Sequence, residues 1–404
     1  MAATEETPVN PYSLLEAVNA GSSHSQAFTY YFLTLMGFYF VSIVPMSHSD
    51  LIGNTFISLP NGVAKISTTT FFTFSPIFLV FSHLIVLMTH YDLSRRLKEF
   101  DKAVSELEPG AGRTHPLRLE MNSYFYAQSM AGATANPVFD MFLRGVVWAV
   151  LILLPIGLLC AFQIKFLPYH DASITWLHRG LFLIDVFVVV SLGIAAVTRL
   201  STETKAGPLA AMRRTAQGVL GGLLLAAPFL IFTIPGERLD RWMSNVASWE
   251  IKTSSEAASP RSAFFLTAFF FEGEIDEVTG NISSPFARNM IAIDADFTAD
   301  ALKETGRRGT NLRGRDFSFA RFDRADLRKV DFTGANLAGA LFRGRETQLK
   351  AAVFRGAHLK GTIFDSVLLD DVDFAEADIT ATIFKNVEFR GKVLNGHAAI
   401  SDLR

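Results

Sequence analysis

The chain has 404 residues, enough for two or three domains, and its formal net charge of −2 gives no global electrostatic case for a nucleic-acid partner. Half of the residues are hydrophobic, 37 residues are Phe, and only 19% are charged, a balance that points away from an ordinary soluble protein. The single cysteine, Cys160, lies in an apolar run, which excludes an intrachain disulfide and identifies no redox compartment.

In chain order, residues 1–26 read as an N-terminal tail. Met1–Ala20 carries no Lys or Arg and lacks the basic start and apolar run of a cleavable signal peptide, so residue 1 is expected to be retained. Residues 27–236 read as an α-helical membrane domain of about five helices. No Asp, Glu, Lys or Arg occurs in Ala17–Ser49, Ile66–Tyr91, Gly145–Ile164 or Thr215–Gly236, and only Asp185 interrupts Arg179–Arg199. Each window holds the roughly 20 apolar residues that cross a bilayer as a helix. The expected spans are Ala27–Met46, Thr70–His90, Gly145–Ile164, Gly180–Thr198 and Thr215–Pro235, with Pro76 and Pro228 as points where a span can kink. Between the first two, Thr55–Ser58 reads as a short strand and Pro60-Asn61-Gly62 as a turn. Leu93–Leu107 continues the second span as an amphipathic helix with Leu97, Phe100 and Val104 on one face, ended by Pro109-Gly110-Ala111-Gly112.

Orientation follows from Lys and Arg in the short loops. The segments after the second and fourth spans hold eleven such residues against three in the other two loops. That count places the N-terminus in the cytoplasm and, after five spans, the C-terminal domain outside it. If one segment is re-entrant, the C-terminal domain moves to the cytoplasm.

An ionisable side chain inside a span is a functional hypothesis, because leaving it in lipid costs several kcal/mol. Three such residues make a candidate intramembrane polar site: His83, His90 seven residues later on nearly the same helical face, and Asp185 in the fourth span. A proton relay would pair Asp185 with His83, with Gln163 near a wet cavity; an interhelical hydrogen bond is the favoured reading. His170, Asp171 and His178 crowd the next loop, but their spacing lacks the four-residue step of helical zinc ligands. Asp171 reads better as a helix cap and Trp176 as an interfacial anchor. No Gly-rich phosphate loop, HExxH or nucleophile elbow is present, so no catalytic residue, cofactor or metal is expected. Gly218, Gly221 and Gly222 suit close helix packing in the fifth span.

Residues 237–310 read as a linker. Leu239–Trp249 would be an interfacial helix with Trp242 and Trp249. Ala263–Phe271 is too short to span, and Thr298–Thr305 would form a short helix closing the end of the next domain.

That domain, residues 311–395, has a period of five. The positions Leu312, Phe317, Phe322, Leu327, Phe332, Leu337 and Phe342, then Leu349, Phe354, Leu359, Phe364, Leu369, Phe374, Ile379, Phe384, Phe389 and Leu394 are all Leu, Phe or Ile. Two places before each runs a mostly small track, with Arg315 and Lys392 as exceptions. Neither the helical period of 3.6 nor the strand period of 2 explains this, whereas a stacked solenoid does. Arg343–Gln348 adds two residues to the register, so a bulge or corner is expected there. A short tail, 396–404, follows.

The run "ADLRK VDFTG ANLAG ALFRG" resembles the pentapeptide-repeat family. The resemblance implies an all-β, right-handed quadrilateral β-helix of about four coils with the Leu/Phe and small residues inside. The stretches "ISTTTFFTFSPIFLVFSHLIVLMTHYDL", "QIKFLPYHDASITWLHRGLFLID" and "SPFARNMIAID" are similar to the membrane region and joining phrase of bacterial proteins carrying such a domain at their C-terminus. Some pentapeptide proteins imitate DNA's negative rod. Here Asn311–Asn395 carries fourteen basic against twelve acidic residues, with the acidic ones concentrated at the far end in Asp365, Asp370, Asp371, Asp373, Glu376 and Asp378, which argues against mimicry. The sequence thus suggests a multi-pass protein of the cell inner membrane. It would be a non-enzymatic interaction or scaffold module, with the bilayer and either a protein partner or a second copy as partners. The alternative is a small ion or proton channel or transporter with the solenoid as assembly or plug domain.

Overall fold

The computed structural model describes residues 10–59, 62, 64–107, 115–133, 136–201, scattered positions between 213 and 227, 289–298, 310–391, 394–395 and 398–399. Most of the fifth expected span, the helix at 239–249, the run at 263–271, the body of the short helix at 298–305 and the turn at 109–112 lie outside them. The chain forms two compact units: residues 1–44, 73–162 and 177–231, and residues 45–72, 163–176 and 232–404.

In the first unit α1 (Pro11–Ile43) begins well before the expected residue 27. Asn10 caps it, its Oδ1 accepting the Tyr12 N–H at 3.0 Å, and Pro11 takes the first turn, where its missing N–H costs nothing. The extension has a packing reason. Leu15 and Val18 bury against Leu93, Leu97, Phe100 and Val104, the apolar face of the C-terminal half of α3 (Thr68–Leu107), together with Leu117, Met121 and Tyr124. Helix α3 runs unbroken through Pro76 and joins the expected span and amphipathic helix in one rod. Arg118 closes this cluster from a buried position: its Nη2 lies 2.6 Å from the Asp101 carboxylate, and its Nη1 donates to the Ala131 carbonyl.

Next come the short α4 (Phe125–Ala131) and then α5 (Pro137–Trp148), which passes through a π-helical turn, Ala149–Leu153, into α6 (Leu154–Phe166). Finally α7 covers Ala172–Ser201. Among the described residues, three helical stretches are long and apolar enough to cross a membrane: Thr68–Leu107, Pro137–Tyr169 and Ala172–Leu192. Helix α1 is long but interleaves its Phe and Leu with Thr29, Tyr30, Tyr31 and Thr34, so it falls short of them in apolarity. From the expected fifth span, Gly222 meets α7 closely: a Cβ there would sit 3.0 Å from Val190 Cγ2, so a glycine permits the approach.

In the second unit a short helix, α2 (His48–Gly53), is capped by Ser47 and Asp50 in a reciprocal box. It precedes an antiparallel pair, β1 (Phe56–Ser58) and β2 (Lys65–Ser67). The rest is a parallel solenoid. Its first ladder stacks β3 (Ile291–Ile293), β4 (Arg321–Asp323), β5 (Leu341–Arg343), β6 (Ile363–Asp365) and β8 (Ile383–Lys385). A second carries β7 (Leu368–Asp370) and β9 (Glu388–Arg390), and bridges through Asn311–Asp331–Val353–Asp373 and Asp316–Asn336–His358–Asp378 complete four sides.

The five-residue series from Leu312 to Phe374 is fully buried, and so are Ala320, Ala325, Val330, Ala335, Ala340, Ala352, Ala357 and Thr362 of the small track. Phe322, Phe342, Phe364 and Phe384 stack face to face with ring centroids 4.9, 4.9 and 5.2 Å apart, the spacing of the strands that carry them. A second stack, Phe332, Phe354 and Phe374, repeats at 5.0 Å and meets the first edge-on.

Three boundaries differ from expectation. Residues 290–298, assigned above to the linker, open the solenoid: Ala292 pairs with Phe322, and Phe297 is buried against the Phe322 ring. The segment 299–309 interrupts the five-residue count and hides this coil from a periodicity search. Ile379, Phe384 and Phe389 are only half-buried in the last coil, because no later strand of the same ladders covers them among the described residues. Leu394 leaves the parallel ladders and pairs antiparallel, Leu394–Asn395 with Ala398–Ala399.

The two added residues are absorbed at one corner. Pairing steps by twenty residues from Arg321 to Leu341, by twenty-two from Leu341 to Ile363, and by twenty again to Ile383. Gly344 and Thr347 close the extra turn, Thr347 N–H donating to the Gly344 carbonyl at 2.9 Å.

Candidate functional site

His83 and Asp185 meet. His83 Nδ1 lies 2.7 Å from Asp185 Oδ1, and both side chains are almost fully buried, at 0% and 2% exposure. The other ring nitrogen, Nε2, lies 2.9 Å from the Leu151 carbonyl oxygen, inside the π turn. A π turn bonds each N–H to the carbonyl five residues back instead of four, which shifts its carbonyls out of the ordinary ladder; such turns recur at functional sites. The Phe32 ring of α1 stacks on the His83 imidazole, 5.4 Å away and inclined by 6°. Among the described residues Asp185 Oδ2 is buried and has no hydrogen-bond partner.

His90 does not join them. Its Nδ1 lies 2.7 Å from the Val86 carbonyl, which fixes the hydrogen on Nδ1, so in the neutral ring Nε2 accepts the Tyr124 hydroxyl hydrogen at 2.6 Å. Thr29 Oγ1 lies 2.8 Å from the same Tyr124 oxygen and 2.9 Å from the Ser25 carbonyl. With the Tyr124 hydrogen on His90, the Thr29 hydrogen is shared between the Ser25 carbonyl and the Tyr124 oxygen, and the network ties α1 to α3. Burial, only partly offset by the Thr29 hydrogen bond, pushes the Tyr124 hydroxyl well above its ordinary pKa. Tyr124 and Thr29 belong to no periodic pattern, and the sequence offers no signal for them. Gln163 is buried, with Oε1 unpaired.

The loop residues separate. Asp171 caps α7, its Oδ1 accepting from Ser173 and Ile174 N–H at 2.9 and 3.1 Å. His170 occupies the left-handed backbone region, with φ of 57°, and its Nδ1 lies 3.9 Å from Asp316. Among the described residues no group of three His, Cys, Asp or Glu side chains converges as metal ligands.

The break in the small track, Arg315, proves to be a junction. Its guanidinium lies 4.0 Å from the Tyr169 ring centroid on one element and 4.8 Å from Phe317 of the solenoid core. Its Nη1 donates to the Ile52 carbonyl of α2 at 3.0 Å. Tyr169 in turn stacks on Phe166, 4.8 Å away, and Phe166 on Phe72 at 5.0 Å. A second tie runs from the Ile291 N–H to His48 Nδ1 at 3.0 Å. Burial and the nearby Lys165 charge hold the His48 pKa down to about 4, which keeps this nitrogen an acceptor. Burial raises the Asp316 carboxyl, but the nearby His170 imidazole and the hydrogen bonds from Ser318 outweigh it and bring the pKa to about 2.

The polar residues between the tracks hold the corners. Asn311, Asp316, Asp326, Asp331, Asn336, Asp373 and Asp378 each accept through Oδ1 the N–H of the residue two places on. Of the acidic far end, Asp365, Asp370 and Asp373 face Lys385, Lys350 and Arg355 of a neighbouring coil at 3.8, 3.1 and 2.9 Å, so at least half of its six acidic side chains are paired within the rod. The face of β4, β5, β6 and β8 is different. Leu341, Ile363 and Ile383 stand in register along its outside, beside a column of alternating sign, Asp323, Arg343, Asp365 and Lys385.

None of the curated proteins matches the chain. Among solved structures it is similar to HetL, a pentapeptide-repeat protein involved in heterocyst differentiation regulation from the cyanobacterium Nostoc sp. strain PCC 7120. The identity is 25% over 27% of this chain and 48% of that one, with a TM-score of 0.21, so the chain spans about half the length of HetL. It is also similar to the pentapeptide-repeat protein Rfr23 from the cyanobacterium Cyanothece 51142, at 17% identity over 24% of this chain and 80% of that one, with a TM-score of 0.18. Residues 308–344 and 347–391 match the pentapeptide repeats, in eight copies. With four parallel ladders and a buried five-residue series behind that match, the C-terminal solenoid belongs to the pentapeptide-repeat family.

Proposed function

We propose that this chain is a non-enzymatic binding module of the bacterial inner membrane, whose solenoid engages a protein partner through the face of β4, β5, β6 and β8. The observation that carries the reading is the outward column Leu341, Ile363 and Ile383, with Ile383 51% exposed, set in register beside charges of alternating sign. An aliphatic ridge gives a partner apolar area to cover, and alternating charges reward one register of a protein strand or helix and penalise the others. The same alternation cancels the extended field a polyanion needs.

The apolar helices support a membrane anchor, and the rigid seating of the first coil on α2 and Tyr169 supports display. The segments that share a compact unit with the solenoid, 45–72 and 163–176, include the Lys- and Arg-poor loops. This favours a solenoid on the non-cytoplasmic side.

The test is a photocrosslinker placed at Ile363 or, on another face, at Ala338, in full-length protein in host membranes. A discrete heterologous adduct is expected from Ile363 alone, and it should be lost when Arg343→Asp and Asp365→Arg are combined with the probe. A homodimer adduct, equal labelling from both positions, or no adduct from Ile363 would reject the proposed face.

A further inference from the structure

The docking reading leaves the His83–Asp185 pair without a role, and the pair's geometry carries information of its own. A backbone carbonyl only accepts, so the contact with Leu151 places a hydrogen on His83 Nε2. At 2.7 Å, Nδ1 and Asp185 Oδ1 then share one further proton, either as imidazolium facing carboxylate or as imidazole facing carboxyl. Both arrangements hold two protons and are neutral overall. Two observations favour room for a third. Asp185 Oδ2 is buried with no donor, and an ionised carboxylate deprived of partners away from water is costly. The Phe32 face stacked on His83 attracts a positive imidazolium.

Other titratable side chains on these helices include Tyr39 on α1, His90 on α3, Cys160 on α6, and His178 and Arg179 on α7. None of them is hydrogen-bonded to His83 or Asp185.

We infer that the His83–Asp185 pair is a proton-binding site of the helical domain, in which Asp185 takes a proton from hydronium onto Oδ2 while His83 keeps both of its own. One O–H bond breaks in the hydronium, which is left as water, one O–H bond forms on Asp185, the pair passes from neutral to a single positive charge, and no electron moves. The charge is carried by an imidazolium held between the Leu151 carbonyl and the Phe32 face. Because Leu151 belongs to the π turn, the charge state of the pair is coupled to the turn that joins α5 to α6.

Difference infrared spectroscopy on the full chain in lipid nanodiscs tests this, comparing about pH 9 with about pH 5.5, where ordinary carboxylates stay ionised. The expected result is a protonated-carboxyl C=O band that grows on acidification, shifts with ¹³C-aspartate labelling and disappears in Asp185→Asn. It should persist in Asp323→Asn, which removes the solenoid carboxyl whose burial raises its pKa. Phe32→Leu leaves both hydrogen bonds of the pair in place and should move the onset of the band to lower pH. This variant also serves if Asp185→Asn fails to fold. A spectrum without the band across this range, a band that survives Asp185→Asn, or an onset unmoved by Phe32→Leu would overturn the inference and leave a static interhelical hydrogen bond.

Discussion

Arg315 occupies a position where its counterparts one coil apart, Ala335, Ala357 and Ala377, are alanines that fit under the corner. A guanidinium there is expensive to desolvate, and burial lowers its pKa, although Tyr169 and Asp171 partly restore it. What offsets the cost is geometric: a flat cation between two rings and a donor for the Ile52 carbonyl. Arg315→Ala should remove roughly 1–3 kcal/mol by leaving that carbonyl unpaired and the ring contacts empty, read as a lower thermal midpoint of the solenoid unit. Arg315→Lys should recover little, because an ammonium cannot lie flat against Tyr169 and reach Ile52 together. The same residue scale explains the corners. A left-handed residue recurs at five-residue intervals, and at Gly339, where φ is 68°, a Cβ would lie 2.7 Å from the Phe319 ring, so any larger residue would have to displace that ring.

At the scale of elements, the tie between α2 and β3 is sensitive to acid. His48 accepts the Ile291 N–H only while Nδ1 is unprotonated. Its folded pKa of about 4 lies below the ordinary value of 6.5, so the unfolded state binds the proton more readily between them. Stability should therefore fall as pH drops from above 6.5 to about 4 and then level, by roughly 3 kcal/mol in all. Thermal unfolding between pH 7.5 and 4.5 checks this, and His48→Asn should flatten that part of the profile. The solenoid ladders were legible from residue spacing because one side chain in five must point inward at a fixed depth. The tie between α2 and β3 was not legible, since a single His and a backbone N–H 243 residues apart leave no period. The pairing of His83 with Asp185 could be guessed from two charges in apolar windows. The part played by Leu151 could not, because a π turn has no residue signature in this sequence. His90 looked like part of the same site from its helical face, yet Thr29 and Tyr124 claim it from other elements.

For the whole molecule, the apolar helices and the rod are read by different physics. In the proposed membrane setting loop charges would orient the helices, while stacking orders the coils, each of which contacts only its neighbours. A reporter fused after Leu394 should be active only outside the cytoplasm. Activity inside would mean an even number of crossings and would redirect the search for the partner to the cytoplasm.

The corner from Gly344 to Thr347 takes two extra residues, and the next strand nevertheless returns to the same column. Alignment is thus checked at the aromatic stacks and not along the contour of the chain. A peptide spliced into that corner would travel with the rod and leave its ladders undisturbed, so this bend is a natural place to graft an epitope or a dye.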